Sequence, residues 1–214
     1  MNQKLILRIV GLILCIEALC MLPSLLLAAV SGGSDLRAFL ASSALCGGVG
    51  GLLTLTKPDD SRLQTRDGFV CVALCWIVLG LFGALPYFFS HSCDFMDAFF
   101  ETVSGLTTTG ATIFASPSRL PRGIQLWRAL TQWMGGMGIL VLVLALLPKI
   151  SEGSVNLMKA ESPGPISTKL RPRTAETARI LYRIYIALTA VEAVVLRVVG
   201  LPWFDALTTA LTTI

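Results

Sequence analysis

A series of long apolar runs constrains this chain more than any other feature. They extend from Leu5 to Val30, Leu36 to Thr56, Phe69 to Ser90, Ile124 to Leu147 and Ile180 to Val199. Each reaches the roughly 20 residues that a hydrocarbon core of about 30 Å requires. Lipid offers no water to complete backbone hydrogen bonds, so runs of this length must be helices. The expectation is an all-α membrane protein with about five transmembrane helices. The first run, interrupted by Glu17 and Pro23, far exceeds the roughly 7–15 apolar residues of a signal-peptide core, so it reads as a retained helix. Composition agrees: 54% of residues are hydrophobic and 14% charged, where a soluble domain carries about 25% charged residues. Disordered, collagenous and disulfide-scaffold classes are excluded.

The net charge of +4 is a topology signal. With the N-terminus in the cytoplasm, the inner segments hold Lys4, Arg8, Lys57, Arg62, Arg66, Lys149, Lys159, Lys169, Arg171, Arg173 and Arg179. The outer ones hold only Arg37, Arg119 and Arg122. That asymmetry obeys the positive-inside rule provided that the segment from Cys93 to Arg122 starts and ends outside. The basic loops are short and lack interleaved aromatics, so no nucleic-acid partner is expected. Cys71 and Cys75 share a helix face without a histidine to join them, and the cysteines read as small buried hydrophobes.

One apolar segment is too short to cross. From Asp94 to Leu106 the apolar part is about twelve residues, a helix of roughly 18 Å, or little more than half the bilayer core. Asp94 and Asp97 suit its N-terminal end, where carboxylates cap exposed N–H groups and meet the positive end of the helix dipole. Thr107-Thr108-Thr109-Gly110-Ala111-Thr112 follows, poor for continuing a helix. About five extended residues cover roughly 16 Å, enough to return to the surface. The segment therefore reads as a re-entrant loop, tolerated at that depth only if it is buried in protein or lines a watery cavity. Extended Thr107 to Ala111 would present backbone carbonyls that replace the hydration shell of a monovalent cation. The plainer alternative is a polar extracellular turn after a buried amphipathic helix.

A repeat favours the loop. Phe95 to Leu106 can be laid over Trp203 to Ile214, pairing Asp97-Ala98 with Asp205-Ala206. The unit is helix, half-helix, filter, helix, repeated in parallel as in other membrane transport folds. Residues 1–57 then form an N-terminal helix pair and 69–150 the first unit. Residues 151–175 make a cytoplasmic linker, and 176–214 begin a second unit, cut before its filter. On this reading the sequence is an N-terminal fragment, the alternative being that identical chains assemble to complete the ring of such loops.

Asp97-Ala98-Phe99-Phe100-Glu101, leading to Ser104-Gly105-Leu106-Thr107-Thr108-Thr109-Gly110-Ala111-Thr112, resembles the first pore loop of TrkH-type potassium uptake proteins, within the Trk/Ktr/HKT transporter superfamily. Arg66-Asp67-Gly68-Phe69, Gln132-Trp133-Met134-Gly135-Gly136-Met137-Gly138-Ile139, Ala160-Glu161-Ser162-Pro163-Gly164-Pro165 and Pro172-Arg173-Thr174-Ala175-Glu176-Thr177-Ala178 agree. The first two helices resemble the extra pair that the related KtrB proteins lack. The resemblance implies four pore units in one chain, a homodimer, a cytosolic TrkA-type nucleotide-binding partner, and residence in the bacterial inner membrane. It implies potassium as the transported ion, no organic cofactor and no enzymatic chemistry. The sequence departs from the family by lacking three of the four filters and the gating loop of the third unit. A non-conducting subunit that associates with full-length relatives is the alternative.

Among the remaining residues, Glu101 lies two-thirds along the half-helix, where it would hold the filter by hydrogen bonds without binding the ion. Arg128 would neutralise it or snorkel to the surface. Gly105 belongs to the same supporting set. Glu17 and Glu192 are ionisable at membrane depth; Glu192 is expected to pair with Arg197 or with another helix, and Glu17 to sit against a partner. Gly47, Gly51, Gly135, Gly136 and Gly138 read as helix-packing positions, and His91 as a solvated residue at the outer edge. The stretch from Lys149 to Glu176 reads either as a docking surface for the cytosolic partner or as an anchor to anionic lipid.

Overall fold

The computed structural model describes residues 3–56, 65–138 and 174–214. Among them all regular structure is helical. The helices are α1 (Gln3–Ser31), α2 (Leu36–Thr54), α3 (Thr65–Gly83), α4 (Leu85–Phe89), α5 (Phe95–Leu106), α6 (122–138), α7 (Thr174–Val199) and α8 (Trp203–Thr213), with a 3-10 turn at Pro117–Arg119. The end of the fourth apolar run and the linker that follows it lie outside the described residues. The chain folds as two compact units, Met1–Gln132 and Trp133–Ile214.

Three described stretches are long and apolar enough to cross a bilayer: Gln3–Ser31, Leu36–Thr54 and Asp67–Phe89. At most 33% of any of them is buried inside the protein, so most of their apolar surface faces outward, including Leu19, Leu26, Val30 and Leu52. Exposing that surface to water would cost roughly 25 cal/mol per Å². The surrounding medium is therefore lipid. The fifth apolar run forms the C-terminal part of α7, where Arg183, Glu192 and Arg197 set it apart from the other three. Arg197 does not pair with Glu192: its guanidinium lies 5.5 Å from the centre of the Trp203 ring and donates to the Leu201 carbonyl at 3.5 Å.

In the first unit α1 and α2 form an antiparallel hairpin. A side chain begun at Gly11 would stand 2.7 Å from the Gly50 carbonyl, and one begun at Gly50 would stand 2.8 Å from the Gly11 carbonyl. Small residues are needed at this crossing because the two backbones nearly touch. Ile6, Val10 and Leu14 of α1 form the core with Cys46 of α2 and Cys71 and Cys75 of α3. Those thiols are buried and unbridged, as small hydrophobes should be. Neither Glu17 nor Pro23 interrupts α1. Glu17 is buried, with the Cys46 thiol 3.6 Å from its Oε2.

The third apolar run is not one uninterrupted helix. Pro86 has no N–H to give, and regular helix lapses at Ala84 between α3 and α4. The Gly83 carbonyl accepts the Trp127 indole N–H at 2.9 Å. Helix α6 is built against these joints. Gly123, Trp127 and Thr131 follow at intervals of four residues, so they share one face. Gly123 meets the Asp35 carboxylate at the start of α2, Trp127 meets Gly83, and Thr131 meets Gly105 of α5. One face of α6 thus registers the hairpin, the third span and the half-helix together. Replacing Gly11 with valine should lower stability by about 1–3 kcal/mol through overpacking. Thermal unfolding of the purified protein in detergent measures this; an unshifted transition contradicts the close crossing.

Candidate functional site

Helix α5 has 12 residues and a strongly amphipathic pattern: Ala98, Glu101, Thr102, Ser104, Gly105 and Leu106 are buried, while Met96 and Phe100 face outward. Asp94 occupies the N-cap with extended backbone, but its side chain makes no bond to the helix, contrary to the capping expected of it. Asp97 lies exposed in the first turn. Both carboxylates therefore act on the helix through charge alone.

The C-terminal end departs from the expected extended strand. Thr107 and Thr108 close the helix: the Thr108 N–H donates to the Gly105 carbonyl at 2.8 Å and the Thr109 N–H to the Ser104 carbonyl at 2.9 Å. This is the Schellman pattern, which needs a left-handed residue after the cap. Thr108 fills that place at φ +56°, a strained conformation for a β-branched residue. The chain is neither helix nor turn from Thr109 to Thr112, with Gly110 left-handed again at φ +72°. The sign of φ thus alternates along Thr107, Thr108, Thr109 and Gly110.

Alternation has a direct consequence for the carbonyls. In a trans peptide the C=O points opposite to the N–H. The Thr109 and Gly110 N–H groups both donate to the Ser104 carbonyl, at 2.9 and 3.4 Å. The carbonyls of Thr108 and Thr109 therefore point away from α5, side by side, and that of Thr107 points away from the helix end. A strand of uniformly negative φ would have turned them alternately to opposite sides. Among the described residues the carbonyl oxygens of Thr107, Thr108, Thr109 and Gly110 accept no hydrogen bond. Ala111 faces the other way, its carbonyl accepting the Ser104 hydroxyl at 2.6 Å.

Glu101 holds the outgoing limb. Its buried carboxylate accepts the Thr112 hydroxyl at 2.9 Å, the Ile113 N–H at 3.1 Å and the Arg128 Nε–H at 2.6 Å. Loop, half-helix and α6 meet at this one group. A buried carboxylate is tolerable because its charge is paired and its lone pairs are used. Gly105 lets α5 approach α6: a methyl there would lie 2.6 Å from the Thr131 hydroxyl. The surface around the start of α5 is anionic, with Asp94 and Asp97 both exposed. Cys93, in the loop before α5, has its thiol pushed up to about 11, by burial first and then by Asp97, Glu101 and Asp94. The same field favours a cation. Ser104 and Thr112 escape sequence reading, since their roles depend on where the chain returns.

Helix α8 repeats α5 in its own unit. In the alignment of Asp97 with Asp205, Ala98 matches Ala206 and Thr102 matches Ala210, and all four are fully buried. The same helix face is turned inward in both copies.

Removing Arg128 leaves a buried charge unpaired, so Arg128→Ala should cost about 3–5 kcal/mol, read by thermal unfolding; a loss under about 1 kcal/mol, the worth of an exposed pair, contradicts the burial argument. Cys93 should react slowly with maleimide at pH 7 and speed up as pH rises toward 11, because only the thiolate attacks. Rapid labelling at neutral pH would contradict the burial and the neighbouring carboxylates that push this thiol up.

Residues 36–214 match the family model for TrkH, described as a cation transport protein. The Trk system potassium uptake protein TrkH of Halomonas elongata is 42% identical over 211 residues, covering 97% of this chain and 44% of that protein. TrkG of Escherichia coli is 35% identical over 218 residues, covering 100% of this chain and 45% of its own length. The crystal structure of the potassium transporter TrkH from Vibrio parahaemolyticus superposes with a TM-score of 0.83 at 34% identity, over 99% of this chain and 42% of that one. This chain thus spans less than half the length of these relatives. With a matching family model over most of its length, the chain belongs to the TrkH family of cation transport proteins.

Proposed function

We propose that this chain provides the first pore loop of a potassium uptake protein, passing K⁺ inward along the carbonyls of Thr107, Thr108, Thr109 and Gly110. The observation that carries this reading is the row of unengaged carbonyls at the end of the half-helix, oriented by alternating φ. Such oxygens substitute for the water around a monovalent cation, and the negative end of the α5 dipole lies directly behind them. The proteins it resembles are named for potassium uptake. Asp97, Glu101, Gly105 and Arg128 support the loop without touching the ion. No bond is made or broken. The membrane potential does the work, about 2.3 kcal/mol per charge for each 100 mV.

On this reading the protein sits in the bacterial inner membrane, and the excess of Lys and Arg on the inner segments supports an N-terminus in the cytoplasm. The half-helix then enters from outside and the anionic surface around its start collects cations. The other walls of the filter come from further loops of the same kind. The assembled transporter is a homodimer that docks a TrkA-type nucleotide-binding subunit on its cytoplasmic face.

A chimera tests the filter. Residues 1–214 replace the corresponding part of the Halomonas elongata protein in a bacterium deficient in potassium uptake. The chimera should restore growth on limiting potassium. Gly110→Val should abolish it, because valine cannot adopt φ +72° without strain. Undiminished growth of the valine variant refutes the filter.

A further inference from the structure

The loop described above is tied to α5 largely through one residue, Ser104. Its carbonyl accepts the N–H groups of Thr109 and Gly110, at 2.9 and 3.4 Å, and its buried side chain donates to the Ala111 carbonyl at 2.6 Å. Backbone and side chain of a single residue therefore grip both the donors and the acceptor of three successive loop residues. The two grips act in opposite senses. The carbonyl of Ser104 draws N–H groups toward α5, which turns the Thr108 and Thr109 oxygens outward. Its hydroxyl draws an oxygen toward α5, which reverses the peptide between Ala111 and Thr112.

We infer that the Ser104 hydroxyl determines specificity by ending the outward-facing carbonyl row at Gly110 and setting how closely those oxygens are spaced; this rests on the filter reading above. Without the hydroxyl, the Ala111 carbonyl loses its hydrogen-bond donor. That peptide turns about ψ of Ala111 and φ of Thr112, and the Thr112 N–H on its other side is held by no bond among the described residues. The Ala111 oxygen would then be free to swing outward and add a ligand beyond the row. A more adaptable oxygen cage discriminates less well between ions of different radius. Neighbouring groups do not substitute for the hydroxyl. Glu101 holds the loop only from Thr112 onward, and the Thr107 hydroxyl is engaged with the Val103 carbonyl and the Thr109 hydroxyl, both at 2.8 Å.

The experiment uses the same chimera and measures uptake of K⁺ against Na⁺ and Rb⁺. Ser104→Ala should lower K⁺ over Na⁺ discrimination about three- to tenfold, the worth of one hydrogen bond, while Ser104→Thr, which keeps the hydroxyl, restores it. A residue that merely stabilised the fold would change the amount of transporter but not this ratio. Should Ser104→Ala not fold, Ser104→Val has the shape of the Ser104→Thr variant without its donor, and unchanged discrimination in it overturns the inference. If Gly110→Val leaves uptake intact, the filter reading fails and this one with it. If Gly110→Val abolishes uptake while Ser104→Ala discriminates as the parent does, only the role of Ser104 is overturned.

Discussion

A backbone that leaves its helix inside an apolar medium must find a partner for each peptide group it exposes, since no water is present to serve. Most of the N–H groups that follow α5 answer that demand. The N–H groups of Thr108, Thr109 and Gly110 are returned to the carbonyls of Gly105 and Ser104, and the Ile113 N–H, with the Thr112 hydroxyl beside it, is met by Glu101. Satisfying the donors in this way leaves a short row of acceptors with nothing from the chain to accept. The surplus is one-sided because each trans peptide that turns its N–H inward turns its C=O outward. On the reading proposed above, binding capacity for a cation follows from how the donors are used.

The supporting architecture keeps that arrangement in place with contacts too close to allow sliding. Gly83, Gly105 and Gly123 are points where α6 or α5 meets a neighbour with no room for a methyl group. Trp127 and Arg128, adjacent on α6, reach in different directions, one to the Gly83 carbonyl and one to Glu101. The ion pair at Glu101 is not a source of large net stability, because desolvating two charges offsets most of their attraction. Its value lies in direction: a carboxylate with three donors can sit in only one place, and the loop it binds is fixed with it. The N-terminal hairpin joins the same framework through Asp35 at Gly123.

Much of this was legible in the linear chain. Apolar run lengths identified membrane helices, and the twelve-residue segment announced itself by being too short to cross. The pairing of Asp97-Ala98 with Asp205-Ala206 anticipated two helices that bury the same face. Other features were not legible, each for a local reason. Threonine after threonine suggested extended chain, whereas Thr108 completes a helix cap in a conformation its branched side chain resists. Asp94 holds the cap position without making the capping bond. Arg197 and Glu192 are neighbours by number, but the Trp203 ring offers the guanidinium a better surface.

By itself the amino-acid order determined the class of the fold, because hydrophobic length is additive along a chain and needs no partner to be counted. It also placed the half-helix, the glycine at its exit and the carboxylate within it. Tertiary structure decided where the outgoing limb of the loop is held. That choice depends on Ser104, Glu101 and Arg128 converging from α5 and α6 on groups up to 27 residues away. Hydrogen-bond direction is a property of that meeting.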